Sequence, residues 1–160
     1  MIRAAAFARR VIAPAIEILA GVEPRIDSPS ARVLLLGTAI QESGLAALEQ
    51  RGGPALGFFQ IEPATLADVY HRYLAKRRPD LLAAVDGLKA PGIDAADQLA
   101  GNMLFACAIA RIRFWMVPAP PLPAADDLDG LGEYWDRFYN RNPAHGTAAE
   151  WVAAYRRYAD

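Results

Sequence analysis

The sequence is poor in the residue types that form disulfides and metal sites. It contains a single cysteine, Cys107, and two histidines, His71 and His145. One cysteine excludes an internal disulfide and a cysteine-rich metal site, and two histidines alone do not make a zinc site. We therefore expect no bound metal.

The chain also lacks an excess of charge of either sign. Its 17 lysines and arginines stand against 18 aspartates and glutamates, which gives a net charge of −1. No strong attraction to nucleic acid or to anionic membranes is expected from this balance. No segment reaches the roughly 20 apolar residues that a membrane-spanning helix needs. We predict neither a nucleic-acid partner nor stable insertion into a membrane.

The first 25 residues allow two interpretations. Arg3, Arg9 and Arg10 lie beside an apolar run, as in a signal peptide, but Glu17 interrupts the run and no small-residue cleavage site follows. We expect an amphipathic N-terminal helix within 1–25 that packs on the rest of the chain. A signal or anchor segment is the alternative.

Length and composition predict one mainly α-helical domain over 1–160. The 160 residues are 54% hydrophobic, which is enough to bury a core without disulfides or metals. Alanine, the best helix former, is spread along the whole chain. The proline-rich segment 117–126 is expected to be an extended connection between helices.

Local sequence signals predict where several helices begin and end. Ser28 before Pro29 is typical of a helix start, and Gly44 is a plausible helix stop. Thr147 and Glu150 have the spacing of a capping box. These signals divide the chain into about seven helices joined by short loops.

Two apolar segments should form the centre of the molecule. A long helix from Asp94 to about Trp115 is apolar on most faces, so we expect it to be the buried central helix. Segment 50–64 is broken by glycine and proline but carries Phe58, Phe59 and Ile61. This loop should therefore pack against the core, with at most a minimal β element.

Glu42 is the acidic residue whose position is most suggestive of chemistry. It lies at the C-terminal end of a predicted apolar helix, where the helix dipole and burial both disfavour a carboxylate. A carboxyl group that keeps its proton near neutral pH can act as a general acid. On this position alone, an exposed glutamate near a helix end is the simpler interpretation.

Two further motifs favour a chemical role for Glu42 over that of an exposed glutamate. Glu42 and Ser43 end the helix, and after a glycine-rich stretch residues 57–65 read Gly-Phe-Phe-Gln-Ile-Glu-Pro-Ala-Thr. Residues 138–140 read Phe-Tyr-Asn, shortly before the last predicted helix. In this order the three elements resemble the lysozyme-like lytic transglycosylases and the goose-type lysozymes, and they look closest to divergent phage and prophage versions. The resemblance covers roughly residues 30–158 and implies a single-domain lysozyme-like fold.

The resemblance also implies a role for each motif residue. Glu42 would be the general acid and afterwards the base. Ser43 and Gln60 would position the sugar or the acid by hydrogen bonds. Tyr139 would bond to the Glu42 carboxyl or line the site, and Asn140 would bind the acetamido group of the sugar or backbone groups of the cleft.

The implied reaction is cleavage of the β-1,4 bond between MurNAc and GlcNAc in peptidoglycan, with no cofactor. In a transglycosylase the Glu42 carboxylate would then take the proton of the C6 hydroxyl and close a 1,6-anhydro ring; in a hydrolase a water would react instead. Glycosidases commonly use a second carboxylate, for which Glu62 and Asp68 are candidates. Glu62 is also a candidate substrate-binding residue, since it belongs to the motif around Gln60.

The resemblance places the protein at the bacterial cell wall or periplasm, delivered as a phage or prophage product, with other virion or tail proteins as further partners. One alternative is a catalytically inactive lysozyme-fold virion or glycan-binding protein. A weaker alternative is a peptidase that uses Cys107, although a thiol within an apolar helix lacks the cationic surroundings of a reactive cysteine.

The remaining candidates have simpler structural interpretations. Trp115, Trp135 and Trp151 fit helix packing, although cleft aromatics can stack on sugars. Arg111 interrupts a buried helix, so we expect it to be paired, plausibly with a carboxylate near the site. His71 is expected on the surface, and His145 near the Tyr-Asn motif is a weaker candidate for substrate contact.

Overall fold

The computed structural model describes residues 1–140 and 146–159 and is mainly helical, as predicted. The N-terminal helix α1 is continuous over three segments, Ala4–Phe7, a π-helical turn Ala8–Ile12, and Ala13–Ala20. Helix α2 spans Pro29–Ser43, and α3 joins Pro63–Asp68, a π-helical turn Val69–Leu74, and Ala75–Arg77. The later helices are α4 (Pro79–Asp86), α5 (Ala95–Gly101), α6 (Met103–Trp115), α7 (Leu128–Phe138) and α8 (Ala148–Tyr158).

The helix ends that were predicted from local signals are confirmed. The Ser28 hydroxyl accepts a hydrogen bond from the Ala31 amide at 3.1 Å and caps α2. Gly44 ends the same helix in the left-handed conformation, at φ +58°, which glycine adopts without steric cost. Thr147 and Glu150 form the reciprocal bonds of a capping box at the start of α8.

The prediction of one long helix from Asp94 to Trp115 is wrong in one respect, because the helix is broken at Asn102. The Asn102 backbone leaves the helical region, with φ −118° and ψ 92°. Its side chain accepts from the Phe105 amide at 3.1 Å and donates to the Leu88 carbonyl at 2.8 Å. An asparagine side chain can thus replace the backbone bonds that a continuous helix would make, so α5 ends and α6 begins there.

Helix α6 is the central helix, as expected. Every residue from Phe105 to Ile112 is buried, and α6 contacts each of the helices α1 to α5. On the other side of the molecule, α7 and α8 pack against α2. Gly37 permits the close approach of α2 and α8, since a Cβ at that position would overlap the indole of Trp151.

The loop between α2 and α3 packs on the core as predicted. Phe58, Phe59 and Ile61 are buried, and the rings of Phe7 and Phe58 meet edge to face with centroids 5.5 Å apart. Its β character is limited to two isolated antiparallel bridges, in which Leu56 pairs with both Glu49 and Ile61. Over the described ranges, none of the helices has the length and apolar character needed to cross a membrane.

Candidate active site

Glu42 lies in the last turn of α2, where its carboxyl is partly buried against α7. The indole Nε1 of Trp135 donates to its Oε1 at 3.3 Å. Burial raises the pKa of Glu42 to about 7, while the nearby Arg113 guanidinium and the Trp135 hydrogen bond act in the opposite direction. The sequence expectation that burial would raise this pKa is confirmed, and the carboxyl is partly protonated at neutral pH.

Arg113 supplies the positive charge near Glu42. Its Nη2 donates to the Tyr139 carbonyl at 2.6 Å, and its guanidinium lies 3.7 Å from the centre of the Tyr139 ring. Within the described part of the chain, the buried Nε of Arg113 has no hydrogen-bond partner. The guanidinium stabilises the ionised form of Glu42, so the pKa of Glu42 rises less than burial alone would raise it.

The Glu42 carboxyl opens into a small polar cavity, called here the Glu42 cleft. Its volume is about 220 Å³. The residues that line it are Gln41, Glu42, Gln50, Ala55, Gln60 and Glu62. The lining therefore includes three glutamines and two glutamates, and amide side chains can both donate to and accept from sugar hydroxyls.

Gln60 and Glu62 line this cleft together with Glu42. Gln60 has a φ of +44°, and its Nε2 donates to the Gly57 carbonyl at 2.8 Å. Gly57 itself has a φ of +71°, and a Cβ there would overlap the backbone of Leu99. The loop conformation that presents Gln60 thus depends on a glycine at this position. Glu62 is exposed on the cleft rim, directly before α3.

Ser43 does not line the cleft. Its hydroxyl donates to the Ala39 carbonyl at 2.9 Å and accepts from the Leu45 amide at 3.2 Å. Both bonds close the C-terminal end of α2. The hydroxyl therefore fixes the backbone next to Glu42, and no bond from it to the acid is present.

The Tyr139 hydroxyl does not bond to the Glu42 carboxyl, and Tyr139 is not among the residues that line the Glu42 cleft. The Tyr139 side chain is buried, and its hydroxyl donates to the Phe59 carbonyl at 2.6 Å. Its ring stacks on Phe114 with centroids 4.9 Å apart. This hydrogen bond gives the buried Phe59 carbonyl a partner, as buried polar groups require. Tyr139 therefore holds the loop that carries Gln60.

Asn140 also makes structural bonds. Its Nδ2 donates to the Asp136 carboxylate at 2.9 Å and to the Gly146 carbonyl at 2.8 Å. Gly146 lies so close to Gln41 that a Cβ on it would overlap the Gln41 amide. Asn140 therefore anchors the chain before α8, and its predicted contact with the acetamido group of the sugar or with backbone groups of the cleft stays a prediction. His145 lies outside the described residues.

The other candidates lie away from the cleft. Cys107 is buried in α6, and burial raises the pKa of its thiol, so it does not fit a nucleophile. Asp68 forms an ion pair with Arg72 at 3.2 Å. His71 is exposed, as expected. Among the described residues, no group of three or more His, Cys, Asp or Glu side chains is arranged to hold a metal.

The prediction that a carboxylate pairs with Arg111 is wrong. Its Nε donates to the Ile26 carbonyl at 2.8 Å, and over residues 1–140 and 146–159 no carboxylate lies within ion-pair distance of it. Its guanidinium instead lies 5.3 Å from the centre of the Trp115 ring. A backbone carbonyl and an aromatic face thus take the place of the expected carboxylate.

Sequence reasoning missed two residues of this site, Arg113 and Trp135. The sequence predicts helix packing for Trp135, which is fully buried, but its indole N–H also bonds to Glu42, 93 positions away. The only local signal for Arg113 is a charge in the last turn of an apolar helix. No family model, no curated protein and no solved structure matches the chain.

Proposed function

We propose that this protein cleaves the β-1,4 bond between MurNAc and GlcNAc in peptidoglycan, with Glu42 as the general acid, on a lysozyme-like fold. The observation that carries the proposal is a carboxyl group with a pKa of about 7 that opens into a polar cleft. General acid catalysis is most effective when the pKa of the acid lies near the working pH. The resemblance of the motifs around Glu42 and Gln60 to lytic transglycosylases supplies the substrate class.

In the proposed reaction Glu42 acts twice. The protonated carboxyl gives its proton to the bridging oxygen, and the resulting carboxylate then takes a proton from the C6 hydroxyl or from a water. Trp135 and Arg113 favour the carboxylate form, whereas burial favours the acid form. Because these influences oppose each other, both protonation states are accessible near neutral pH, as a group that first gives and then takes a proton requires.

Glu62 is the candidate for a second carboxylate. It lines the same cavity as Glu42, whereas Asp68 lies outside the lining of that cavity and is paired with Arg72. A transglycosylase mechanism uses the N-acetyl group of the substrate and one protein carboxylate. A Glu62→Gln variant that keeps most of its activity would favour the single-carboxylate route, and a loss of about a hundredfold or more would make Glu62 the partner of Glu42.

The decisive experiment measures the clearing of purified peptidoglycan by wild type, Glu42→Gln and Glu133→Gln. Glu133 is exposed on α7, two residues before Trp135, so it is a matched control. We expect clearing by wild type and by the control and none by Glu42→Gln. Equal clearing by all three proteins would contradict the role of Glu42.

The products distinguish the two reaction outcomes. Anhydro-muropeptides in the mass spectrum would identify a transglycosylase, and reducing ends would identify a hydrolase. If all three proteins bind peptidoglycan without clearing it, the inactive glycan-binding alternative replaces the enzyme. We further propose that the protein acts at the cell wall as a phage or prophage product.

A further inference from the structure

The structure has a second and larger cavity, whose lining includes residues of both α6 and α7. Its volume is about 510 Å³, and it shares no lining residue with the Glu42 cleft. The N-terminus of α2, the end of α6, the side of α7 and the proline-rich segment after α6 surround it. We call it the Arg111 cavity, after the buried arginine in its wall.

Arg111 is a buried cation that forms no ion pair with any described residue. Arg111 is 4% exposed, and its Nε donates to the Ile26 carbonyl. In the part of the chain that the structure describes, its two terminal nitrogens make no hydrogen bond. The nearest candidate carboxylate, Asp27, is already held by Arg32 through bonds of 2.9 and 2.8 Å.

Burial lowers the pKa of the Arg111 guanidinium to about 10, while Tyr134, Asp27 and Cys107 act in the opposite direction. The side chain therefore remains charged at neutral pH. Asp27 is held by Arg32 and forms no ion pair with Arg111, so an anion in the cavity would make charge-assisted hydrogen bonds to Arg111 that the described residues do not make.

The start of α2 adds further donors to the same cavity. Ser28 and Ser30 both line it, and Ser30 lies in the first helical turn, where backbone N–H groups have no acceptor within the helix. The positive end of the α2 dipole favours an anion at this point. Tyr134 also lines the cavity, and its hydroxyl makes no hydrogen bond to any described residue.

Apart from Arg25, the rest of the lining is apolar. This apolar wall includes Trp115, Pro120, Pro121 and Leu122. Such a wall fits an apolar or aromatic ring better than a free inorganic ion, since burial of apolar surface favours the bound state.

The charges of the arginines that line the cavity indicate which kind of anion it fits. Arg25 lies near the Trp115 ring, at 5.9 Å from its centre, but Glu23 neutralises it through bonds of 2.9 and 3.0 Å. Of the two arginines in the lining, Arg111 is therefore the one that has no ion-pair partner among the described residues. A ligand with one negative charge matches this arrangement, and a planar carboxylate fits the fork of a guanidinium.

We propose that the Arg111 cavity binds a small organic carboxylate, whose carboxyl group bonds to the Arg111 guanidinium and the start of α2. The apolar body of the ligand packs on Trp115 and the proline-rich segment. This site is separate from the catalytic proposal, since neither its residues nor its test involve Glu42 or peptidoglycan.

The test compares three probes by titration calorimetry on the intact chain: benzoate, benzamide and inorganic phosphate. Benzamide has the shape of benzoate without the charge. We expect benzoate to bind about tenfold or more tightly than benzamide. Charged hydrogen bonds are roughly twice as strong as neutral ones, and this difference in energy corresponds to about tenfold in the dissociation constant. Equal binding of the two, or no binding of benzoate, would overturn the site. Tighter binding of phosphate would overturn the assignment to a carboxylate.

Two variants locate the binding. Arg111→Met removes the cation, and Ser30→Asp places a competing carboxylate at the start of α2, where an acidic residue favours the helix and should preserve folding. Arg9→Met, at an exposed arginine of α1, is the control. We expect benzoate binding to be lost in both cavity variants and kept in the control. If Arg111→Met does not fold, Ser30→Asp decides alone, and benzoate binding retained in a folded cavity variant would refute the proposal.

Discussion

Replacement of Glu42 by glutamine should change how the stability of the protein depends on pH. The pKa of Glu42 rises from an ordinary value of 4.5 to about 7 on folding. Between these two values the folded chain holds a proton that the unfolded chain has released. The contribution of the protonated Glu42 to the free energy of unfolding is therefore fully present below the unfolded pKa. This contribution is lost as the pH rises through the folded pKa.

The size of this loss follows from the shift. One pKa unit corresponds to about 1.4 kcal/mol, so the shift of Glu42 gives an upper value of about 3 kcal/mol. The carboxyl is only partly buried, and water in the cleft screens it, so we expect about 1–3 kcal/mol. Glutamine has nearly the same shape, carries no charge at any pH and can still accept the hydrogen bond from Trp135. Glu42→Gln should therefore match wild type near pH 4 and exceed it by this amount near pH 8.

Urea unfolding followed by far-UV circular dichroism, at several pH values between about 4 and 8, measures the difference directly. Glu133→Gln controls for the loss of a carboxylate at an exposed position. Other titrating groups cancel, since they are common to the variant and to wild type. A difference between Glu42→Gln and wild type that stays constant with pH would refute the reasoning and would remove the main support for Glu42 as an acid.

Three further predictions concern single contacts. Trp135→Phe removes the N–H donor to Glu42, so the pKa of Glu42 should rise above about 7, and the same pH series would show its midpoint move upward. Gly37→Ala places a methyl group on the Trp151 ring and should cost about 1–3 kcal/mol of stability in urea unfolding. Tyr139→Phe leaves a loop carbonyl without its buried donor and should cost about 1–3 kcal/mol in the same measurement; an unchanged stability in either variant would contradict the packing described.

The part of the fold that the sequence predicts is the part governed by neighbours along the chain. Ser28, Gly44 and the Thr147–Glu150 pair act over one helical turn, so their effects can be derived without knowledge of the tertiary structure. The break at Asn102 was missed although its cap is also local. The apolar residues on both sides of Asn102 favour a continuous helix. The Leu88 carbonyl that accepts a hydrogen bond from Asn102 lies outside this apolar run, so the run alone does not predict the break.

The candidate site divides in the same way. The sequence alone determined that Glu42 ends an apolar helix and that a glycine-dependent loop carries Gln60 and Glu62. Only the tertiary structure brought Trp135 to the Glu42 carboxyl, across 93 residues, and turned the Tyr139 hydroxyl to the Phe59 carbonyl, across 80 residues.

The physical reason is that hydrogen-bond partners and desolvation depend on which groups meet in space. Periodicity predicts which face of a helix is buried, but it does not predict which donor or acceptor lies opposite that face. Arg111 is an example, since the sequence required a buried partner for it and the structure supplied a backbone carbonyl and an open cavity. The pKa of Glu42 is a property of the same kind, because burial by the folded chain raises it while Arg113 and Trp135, distant in sequence, limit the rise.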